Sequence, residues 1–363
     1  MLEILIDLTC LSYRVTGLER YAMCISEEMI KNDKINRYKL VFRDNTYPLF
    51  EQYVDNDRVK SYILHGDHKQ FFNLITRPLE LKKINADCYL FFAGRNPLLF
   101  SKKKIYNTIH DLVCWDYPET QRTLQRMYSR IANRYAARIS EKIFTVSAFS
   151  KSRIHQLLNV PNDNIVVTYN GISDSFNQCN KKSYDEIKAK YNLPDQFIMN
   201  LSTIEPRKNL SLLLKCFDSI SDRVDYDIVL VGRKGWKIDE LLNEIRANSR
   251  IHITGYVEDD EVAEIYKHAM CFVFPSLYEG FGIPPIEALS MGTPVISSDS
   301  SCMKEVLRDQ AVFFKNNDEE ELKALLLKLP EMYLTMPRKL DDYQIDNFNY
   351  RKSAQKVLST ISQ

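Results

Sequence analysis

Short runs rich in Val, Ile and Phe alternate with helix-length amphipathic stretches along nearly the whole chain. That alternation is the pattern of parallel sheets covered by helices. In the first half the strand candidates are Glu3–Asp7, Tyr38–Phe42, Val59–Leu64, Cys88–Phe92, Ile105–Ile109, Lys142–Val146 and Ile165–Tyr169. The series then restarts with Phe197–Asn200, Asp227–Val231, Ile251–Ile253, Cys271–Phe274, Pro294–Ser297 and Ala311–Phe314. Two successive series predict an α/β protein of two similar domains, residues 1–172 and 173–348, with a polar linker around Asn177 to Ser183. Tyr350 to Ile361 reads as one last helix after a loop, Asp341–Asn349.

A length of 363 residues suits two domains better than one core. The 45% hydrophobic and 27% charged fractions exclude a disordered or low-complexity chain. Eight widely spaced cysteines, with no C-x-x-C pair and no Cys/His cluster at zinc spacing, predict reduced thiols and no metal centre. The run Leu2 to Leu8 is too short and too acidic for a signal peptide, and no apolar run reaches the roughly 18 residues that span a bilayer. A cytoplasmic chain with at most peripheral membrane contact is expected.

The formal net charge of +1 offers no reason to expect nucleic acid as a partner. Position changes the picture. Before Gly171 stand 25 basic and 18 acidic residues, a charge of +7, and from Gly171 onward 24 and 30, a charge of −6. The densest basic patch runs from Lys102-Lys103-Lys104 through Arg122, Arg126, Arg130, Arg134 and Arg138. Residues four apart on a helix drift by about 40° per step, so these arginines form a slanted stripe. Between them Leu124, Met127, Tyr128, Ile131 and Tyr135 recur at helical spacing as an apolar face. The stripe is either the solvated side of a core helix or a surface for acidic lipid headgroups or a lipid-linked diphosphate.

The most specific segment is Pro275 to Ile296, which opens at the end of the Cys271–Phe274 strand, where ligands of open α/β sheets bind. Gly280 and Gly282 let the backbone approach a ligand, and Pro284 and Pro285 suit the first turn of a helix. The free N–H groups of that helix would face an anion such as a diphosphate. Glu279 lies in the loop and Glu287 about one turn into the helix. Upstream, Ser202 to Asn209 leads from a strand into the helix Leu210–Phe217, and its Arg207 and Lys208 are placed to neutralise a diphosphate. In the first domain, Ile105–Ile109 ends in His110-Asp111, and Thr16–Arg20 forms a loop with a flexible Gly17. Asp55-Asn56-Asp57 matches a metal-binding D-x-D but precedes a strong strand, and reads as a turn.

Taken together these residues resemble the GT-B glycosyltransferases of the retaining family 4 type, whose E-x7-E signature is seen here as Glu279 and Glu287. The likeness extends over Gly17, His110-Asp111, Val146-Ser147, Asn170-Gly171, Glu205 to Asn209, Gly255 to Val257 and Ala354. It implies two Rossmann-like domains facing across a cleft, with the acceptor in the first and a nucleotide-sugar in the second. Residues 349–363 would return to the first domain and couple the two halves during closure. Such enzymes transfer a sugar with retention of configuration and need no metal or other cofactor. Lys208, helped by Arg207, would stabilise the departing diphosphate. Glu279 and the amides of Gly280, Phe281, Gly282 and Ile283 would hold the sugar, Glu287 the ribose, and the Val257 backbone the base. His110 and Asp111 would contact sugar or acceptor, and Gly17 would line the acceptor side.

The implied function is transfer of a hexose to a glycan or lipid-linked acceptor of a cell-surface polysaccharide, such as O-antigen, capsule or lipopolysaccharide, on the inner face of the membrane. A mannose-type sugar from GDP is the first expectation, with UDP- or dTDP-sugars as alternatives. A sugar-nucleotide epimerase and a non-catalytic partner subunit of a glycan-assembly complex are the rival readings. Two positions depart from the family pattern. Ser202 stands where relatives often carry arginine, which shifts weight to Arg207 or Arg233, and Arg308 stands in a glycine position.

Overall fold

The structure is a computed structural model and describes residues 1–12, 16–53, 56–66, 72–93, 97, 100, 102, 104–172, 182–236, 241, 243, 245 and 248–363. The chain divides into two compact units, Met1–Gly171 with Asn347–Gln363, and Ile172–Asp346. Each is built on one parallel sheet, as the doubled strand series predicts.

The first unit contains β1 (Glu3–Asp7), β2 (Arg37–Arg43), β3 (Val59–Leu64), β4 (Cys88–Phe91), β5 (Ile105–Thr108), β6 (Lys142–Thr145) and β7 (Ile165–Val167), in the order β3-β2-β1-β4-β5-β6-β7. Its helices include α1 (Gly17–Asn32), α2 (Arg77–Lys83), α3 (Thr123–Ile139) and α4 (Ala148–Leu158). On one side of the sheet Phe72, Leu81 of α2, Phe100 and Ile139 of α3 pack on Leu5, Val41, Phe91 and Ile105. The second unit contains β8 (Phe197–Leu201), β9 (Asp227–Val231), β10 (Ile251–Gly255), β11 (Cys271–Phe274), β12 (Val295–Ser298) and β13 (Val312–Phe314), in the order β10-β9-β8-β11-β12-β13. Helices α5 (Leu210–Asp218), α6 (Ile283–Ser290) and α7 (Asp342–Asn347) belong to it. The final helix α8 (Tyr350–Ile361) belongs to the first unit, where it packs against α1. An added Cβ on Gly171 would lie 2.6 Å from the Tyr350 nitrogen, so a glycine is what lets α8 approach. Ser353 Oγ donates to the Tyr169 carbonyl at 2.7 Å and Lys356 Nζ to that of Val167 at 3.0 Å.

Two local expectations are corrected. Gly17 is not in a loop but opens α1, whose start is secured by the Thr16 N–H donating to Glu19 Oε2 at 2.7 Å. The expected loop Asp341–Asn349 contains α7, because Asp341 and Gln344 cap each other reciprocally at 2.7 and 2.8 Å. That D-x-x-Q signal was in the sequence, but the segment is too short to show a helical period. The structure also settles which way α3 faces. Its buried positions are Ala132, Asn133 and Ala136, while Leu124, Met127 and Ile131 are 82%, 54% and 54% exposed. The helix lies on the sheet through small residues, so the large aliphatic ones point outward. Of the arginines, Arg126 and Arg130 are half-buried and donate to the carbonyls of Pro118 and Cys114, whereas Arg122, Arg134 and Arg138 are exposed.

The linker from Asn177 to residue 181, Lys103 and Asp55 lie outside the described residues. Asn56 and Asp57 form a turn, with the Asn56 N–H donating to the Tyr53 carbonyl at 3.1 Å. Among the described residues no group of three or more His, Cys, Asp and Glu could hold a metal ion, and no helix is long and apolar enough to cross a membrane. Burial pushes the thiols of Cys10, Cys88, Cys114 and Cys216 up to about 12, so they are inert at neutral pH.

Candidate functional site

In a doubly wound sheet the loops leaving two adjacent strands diverge where the strand order reverses, which opens a crevice at the strands' carboxyl ends. The second sheet reverses between β8 and β11. Ser202 to Lys208 leaves β8 and Pro275 to Gly282 leaves β11, so the topology itself brings these two segments together. The backbone joins them as well, since the Leu277 N–H donates to the Arg207 carbonyl at 2.9 Å.

At that point four charged side chains interlock. Lys208 Nζ donates to Glu279 Oε1 at 2.7 Å, and Arg207 Nη1 lies 2.8 Å from Glu279 Oε2. Arg207 also donates through Nη1 to the Tyr278 carbonyl at 2.8 Å and through Nη2 to Glu205 Oε1 at 2.9 Å. Lys208 and Glu279 are 9% and 7% exposed, so both have largely left water. Burial by itself raises the Glu279 pKa, but the charges of Arg207 and Lys208 outweigh it and hold the carboxyl at about 2. Burial is also the largest influence on Lys208 and pulls its pKa below the usual lysine value, with Glu279 opposing the shift. The turn is tight: Pro206–Lys208 is a single 3-10 turn, followed by Asn209 at φ 51°, where asparagine is among the better tolerated residues.

The Glu279 loop is braced from β12. Its N–H donates to Ser301 Oγ at 2.9 Å, and Ser298 and Ser300 both donate to the Ser276 carbonyl at 2.7 Å. Gly282 then turns the chain at φ 84°, and an added Cβ would lie 2.5 Å from Met303 Cε. Pro284 and Pro285 occupy the first turn of α6, as their type predicts, and Gly280, Phe281 and Glu287 are buried. Tyr266 O–H donates to Glu287 Oε2 at 3.4 Å. Val257 is buried just beyond β10, at the same carboxyl edge of the sheet. Ser202 Oγ donates to Asn200 Oδ1 at 2.8 Å, and Arg233 follows Gly232 beyond β9. Arg308 adopts φ 50°, a backbone that favours glycine, and its guanidinium pairs with Asp341 at 2.8 Å and lies 4.5 Å from the Tyr343 ring centroid.

The first sheet reverses between β1 and β4. A cavity of about 510 Å³ opens there, lined among others by Asp7, Thr9, Arg43, Tyr47, Arg77 and Phe91. Its floor is a buried ion pair: Arg77 donates to Asp7 Oδ2 at 2.7 Å, while Thr9 satisfies Asp7 Oδ1 at 2.7 Å. Arg43 donates to the Gly66 carbonyl at 2.7 Å, with its guanidinium 4.7 Å from the Phe72 ring centroid. Thr16, Leu18 and Glu19, from the segment around Gly17 that the sequence singles out, also line it; sequence reasoning missed the rest, because those residues come from β1, β2, β4 and α2 and show no spacing of their own. Only the reversal of strand order, had it been derived, would have marked the place.

His110 lies two residues past β5 and beside the end of that cavity's strand β4, since its Nε2 donates to the Phe92 carbonyl at 2.7 Å. A carbonyl only accepts, so Nε2 carries the proton and Nδ1 is the ring's acceptor. Tyr21 meets the ring edge-on at 4.9 Å, and Ser150 Oγ donates to the His110 carbonyl at 2.9 Å. Asp111 turns away to accept from the Val113 N–H at 3.2 Å. Burial pulls the His110 pKa below 6.5. In the window between its folded value and 6.5, the unfolded chain binds a proton that the folded chain refuses, so stability declines as pH falls through 6.5. Urea midpoints at pH 7.5 and 5.5 are expected to differ more for the parent than for His110→Gln. Equal differences would mean that the ring is charged in the folded protein.

The family model for glycosyl transferases group 1 matches residues 183–346, and that for glycosyltransferase family 4 matches residues 15–176. The O-antigen chain mannosyltransferase B of Escherichia coli is 27% identical over 335 residues, 88% of each chain. The serotype-specific mannosyltransferase WbdA of Escherichia coli is 26% identical over 52% of this chain, which spans 24% of that longer protein. Among solved structures, that of Anabaena HepE in complex with UDP-glucose matches the whole of both chains with a TM-score of 0.76 at 15% identity.

Proposed function

Because the chain belongs to glycosyltransferase family 4 and has its two-unit GT-B fold, we propose that it is a retaining hexosyltransferase that passes mannose from GDP-mannose to a glycan or lipid-linked acceptor of a surface polysaccharide. The observation that carries this reading is the pair of cations, buried Lys208 and half-buried Arg207, meeting buried Glu279 at the β8/β11 reversal. A diphosphate brings to that point the negative charge that Glu279 now supplies, so binding releases the carboxylate toward the sugar. As the bond from the anomeric carbon to the diphosphate breaks, its electron pair goes to the leaving oxygen, while an acceptor hydroxyl oxygen bonds to the same face of the anomeric carbon and gives its proton to the departing diphosphate. The desolvated Lys208 ammonium, with the half-buried Arg207 guanidinium beside it, stabilises that oxygen without reorganising. The backbone N–H groups of Gly280 to Ile283 add donors, since Pro284 and Pro285 beyond them have none, Glu287 meets the ribose, and the Val257 backbone meets the base. None of these roles requires a metal.

In the first unit the acceptor occupies the cavity over the Asp7–Arg77 pair, where fixed polar groups and Tyr47 suit a hydroxyl-rich ring. Nδ1 of His110 accepts from a hydroxyl of the sugar or acceptor. Likeness to O-antigen mannosyltransferases supports the choice of mannose, and GDP is the carrier proposed with it. A thermal-shift panel of GDP, UDP and dTDP tests the donor, since a ligand bound only by the folded state raises its melting temperature. GDP is expected to stabilise most. Stabilisation by UDP or dTDP alone would overturn the donor assignment and leave the transferase reading standing, whereas no stabilisation by any of the three would overturn both.

A further inference from the structure

The outward face of α3 has a character that sugar transfer does not need. A helix on a parallel sheet ordinarily turns its large aliphatic side chains inward and its polar ones outward. In α3 the buried positions are Ala132, Asn133 and Ala136, and Leu124, Met127 and Ile131 follow one another outward at steps of three and four. Arg134 and Arg138 continue the same line over the last turns, and Arg122 stands at its start, all three exposed. No acidic residue occurs between Glu119 and Glu141, so nothing within the helix neutralises them. The half-buried Arg130, bonded to the Cys114 carbonyl at 2.8 Å, and Arg134 both have their guanidinium groups near the Trp115 ring, 5.8 and 5.4 Å from its centroid. On the same side of the sheet, the segment running into α2 exposes Leu74 and Ile75, and α2 itself exposes Leu79.

We infer that this face docks on an anionic lipid bilayer, with Leu124, Met127 and Ile131 entering the acyl boundary and Arg122, Arg134 and Arg138 meeting the headgroups. An apolar stripe on a convex helix, edged by arginines and free of acids, is the form of an interfacial helix. Charge complementarity selects the occupant. A second copy docked through the same face would set arginine against arginine, which like-charge repulsion disfavours. An anionic bilayer satisfies the arginines and the aliphatic residues at once. This inference does not depend on the donor or on the reaction.

Sedimentation of the full chain with phosphatidylcholine vesicles, with and without phosphatidylglycerol, tests it. The parent is expected to bind the anionic vesicles about a hundredfold more tightly than the neutral ones, three outward arginines acting together. Combined Arg122→Ser, Arg134→Ser and Arg138→Ser changes should abolish that preference. Combined Leu124→Ser, Met127→Ser and Ile131→Ser changes keep every charge, and binding should fall at least about tenfold through lost apolar burial. All six positions are exposed, so near-ultraviolet circular dichroism should match the parent. Absence of parent binding, or binding that both triple variants retain, overturns the proposal. Loss in the arginine variant alone overturns the insertion of the aliphatic residues. Concentration-dependent dimers in light scattering that the aliphatic variant abolishes, without vesicle binding, would assign the face to a second copy instead.

Discussion

Lys208→Met is expected to lower kcat for sugar transfer on the order of 10²–10³-fold while the protein stays folded. The size follows from what one preorganised donor contributes to a developing oxyanion in a site closed to water. Lys208 is such a donor, since it is buried, is held 2.7 Å from a carboxylate oxygen, and has its Nζ 5.3 Å from the Phe274 ring centroid. Methionine keeps the stem that packs there and removes the charge. Arg207 still faces Glu279 in the variant, so the carboxylate is not left buried and alone, which is the situation that unfolds proteins. The matching control is Lys215→Met, whose partner Glu319 is a surface pair with a lysine side chain 69% exposed. Such pairs are screened by water and contribute little, so its kcat should equal the parent's. Initial rates with the nucleotide-sugar, and thermal unfolding of each variant, give the comparison. A folded Lys208→Met protein with parental kcat would remove Lys208 from the reaction.

The largest loss of stability is expected from Gly232→Ala. Gly232 follows β9 at φ 137°, and an added Cβ would lie 1.9 Å from the Ser202 carbonyl oxygen and 2.8 Å from its carbon. Those are backbone atoms, so no side chain can swing aside. Neither segment is loose: the Ser202 N–H donates to the Val231 carbonyl at 3.0 Å and the Gly232 N–H to that of Gly255 at 2.9 Å. Relief of the clash breaks the carboxyl edge of the sheet between β8, β9 and β10, which is also the edge that carries Lys208. Backbone strain and overpacking together cost roughly 3–5 kcal/mol, or a melting temperature about 10 °C lower for a unit of this size. Gly292→Ala separates the two contributions, because Gly292 has φ 85° but open space around its Cβ direction. It should cost only about 1–2 kcal/mol. Equal melting temperatures for the two variants would mean that the β8–β9 approach is not as close as described.

The two sites were unequally visible. Glu279, Glu287, Arg207 and Lys208 stand out in the sequence because each pair sits within one short segment, flanked by glycine or proline that announces a turn at a strand's end. Asp7, Arg43 and Arg77 carry no such local mark. Asp7 reads as the polar end of a strand and Arg77 as an ordinary helical cation, and only the sheet brings them within 2.7 Å. The exposure of Leu124, Met127 and Ile131 was hidden for a different reason. A period of three to four residues tells that a helix has a stripe, not which way the stripe faces.

By itself the sequence determined the two series of strands, the restart between them, the final helix from Tyr350 to Ile361 and the loop chemistry at Glu279 and Lys208. Those are local properties: a buried run, a capping or breaking residue, and a spacing all act within a few positions of themselves. The tertiary structure decided the order of strands in each sheet, and with it which loops meet. The reversal between β8 and β11 closes Arg207 and Lys208 on Glu279, and the reversal between β1 and β4 opens the cavity over Asp7 and Arg77. The outward turn of α3 was decided in the same way, by the small residues through which it rests on its sheet. Strand order and helix facing arise from packing between segments far apart in the chain, and no spacing along one segment encodes them.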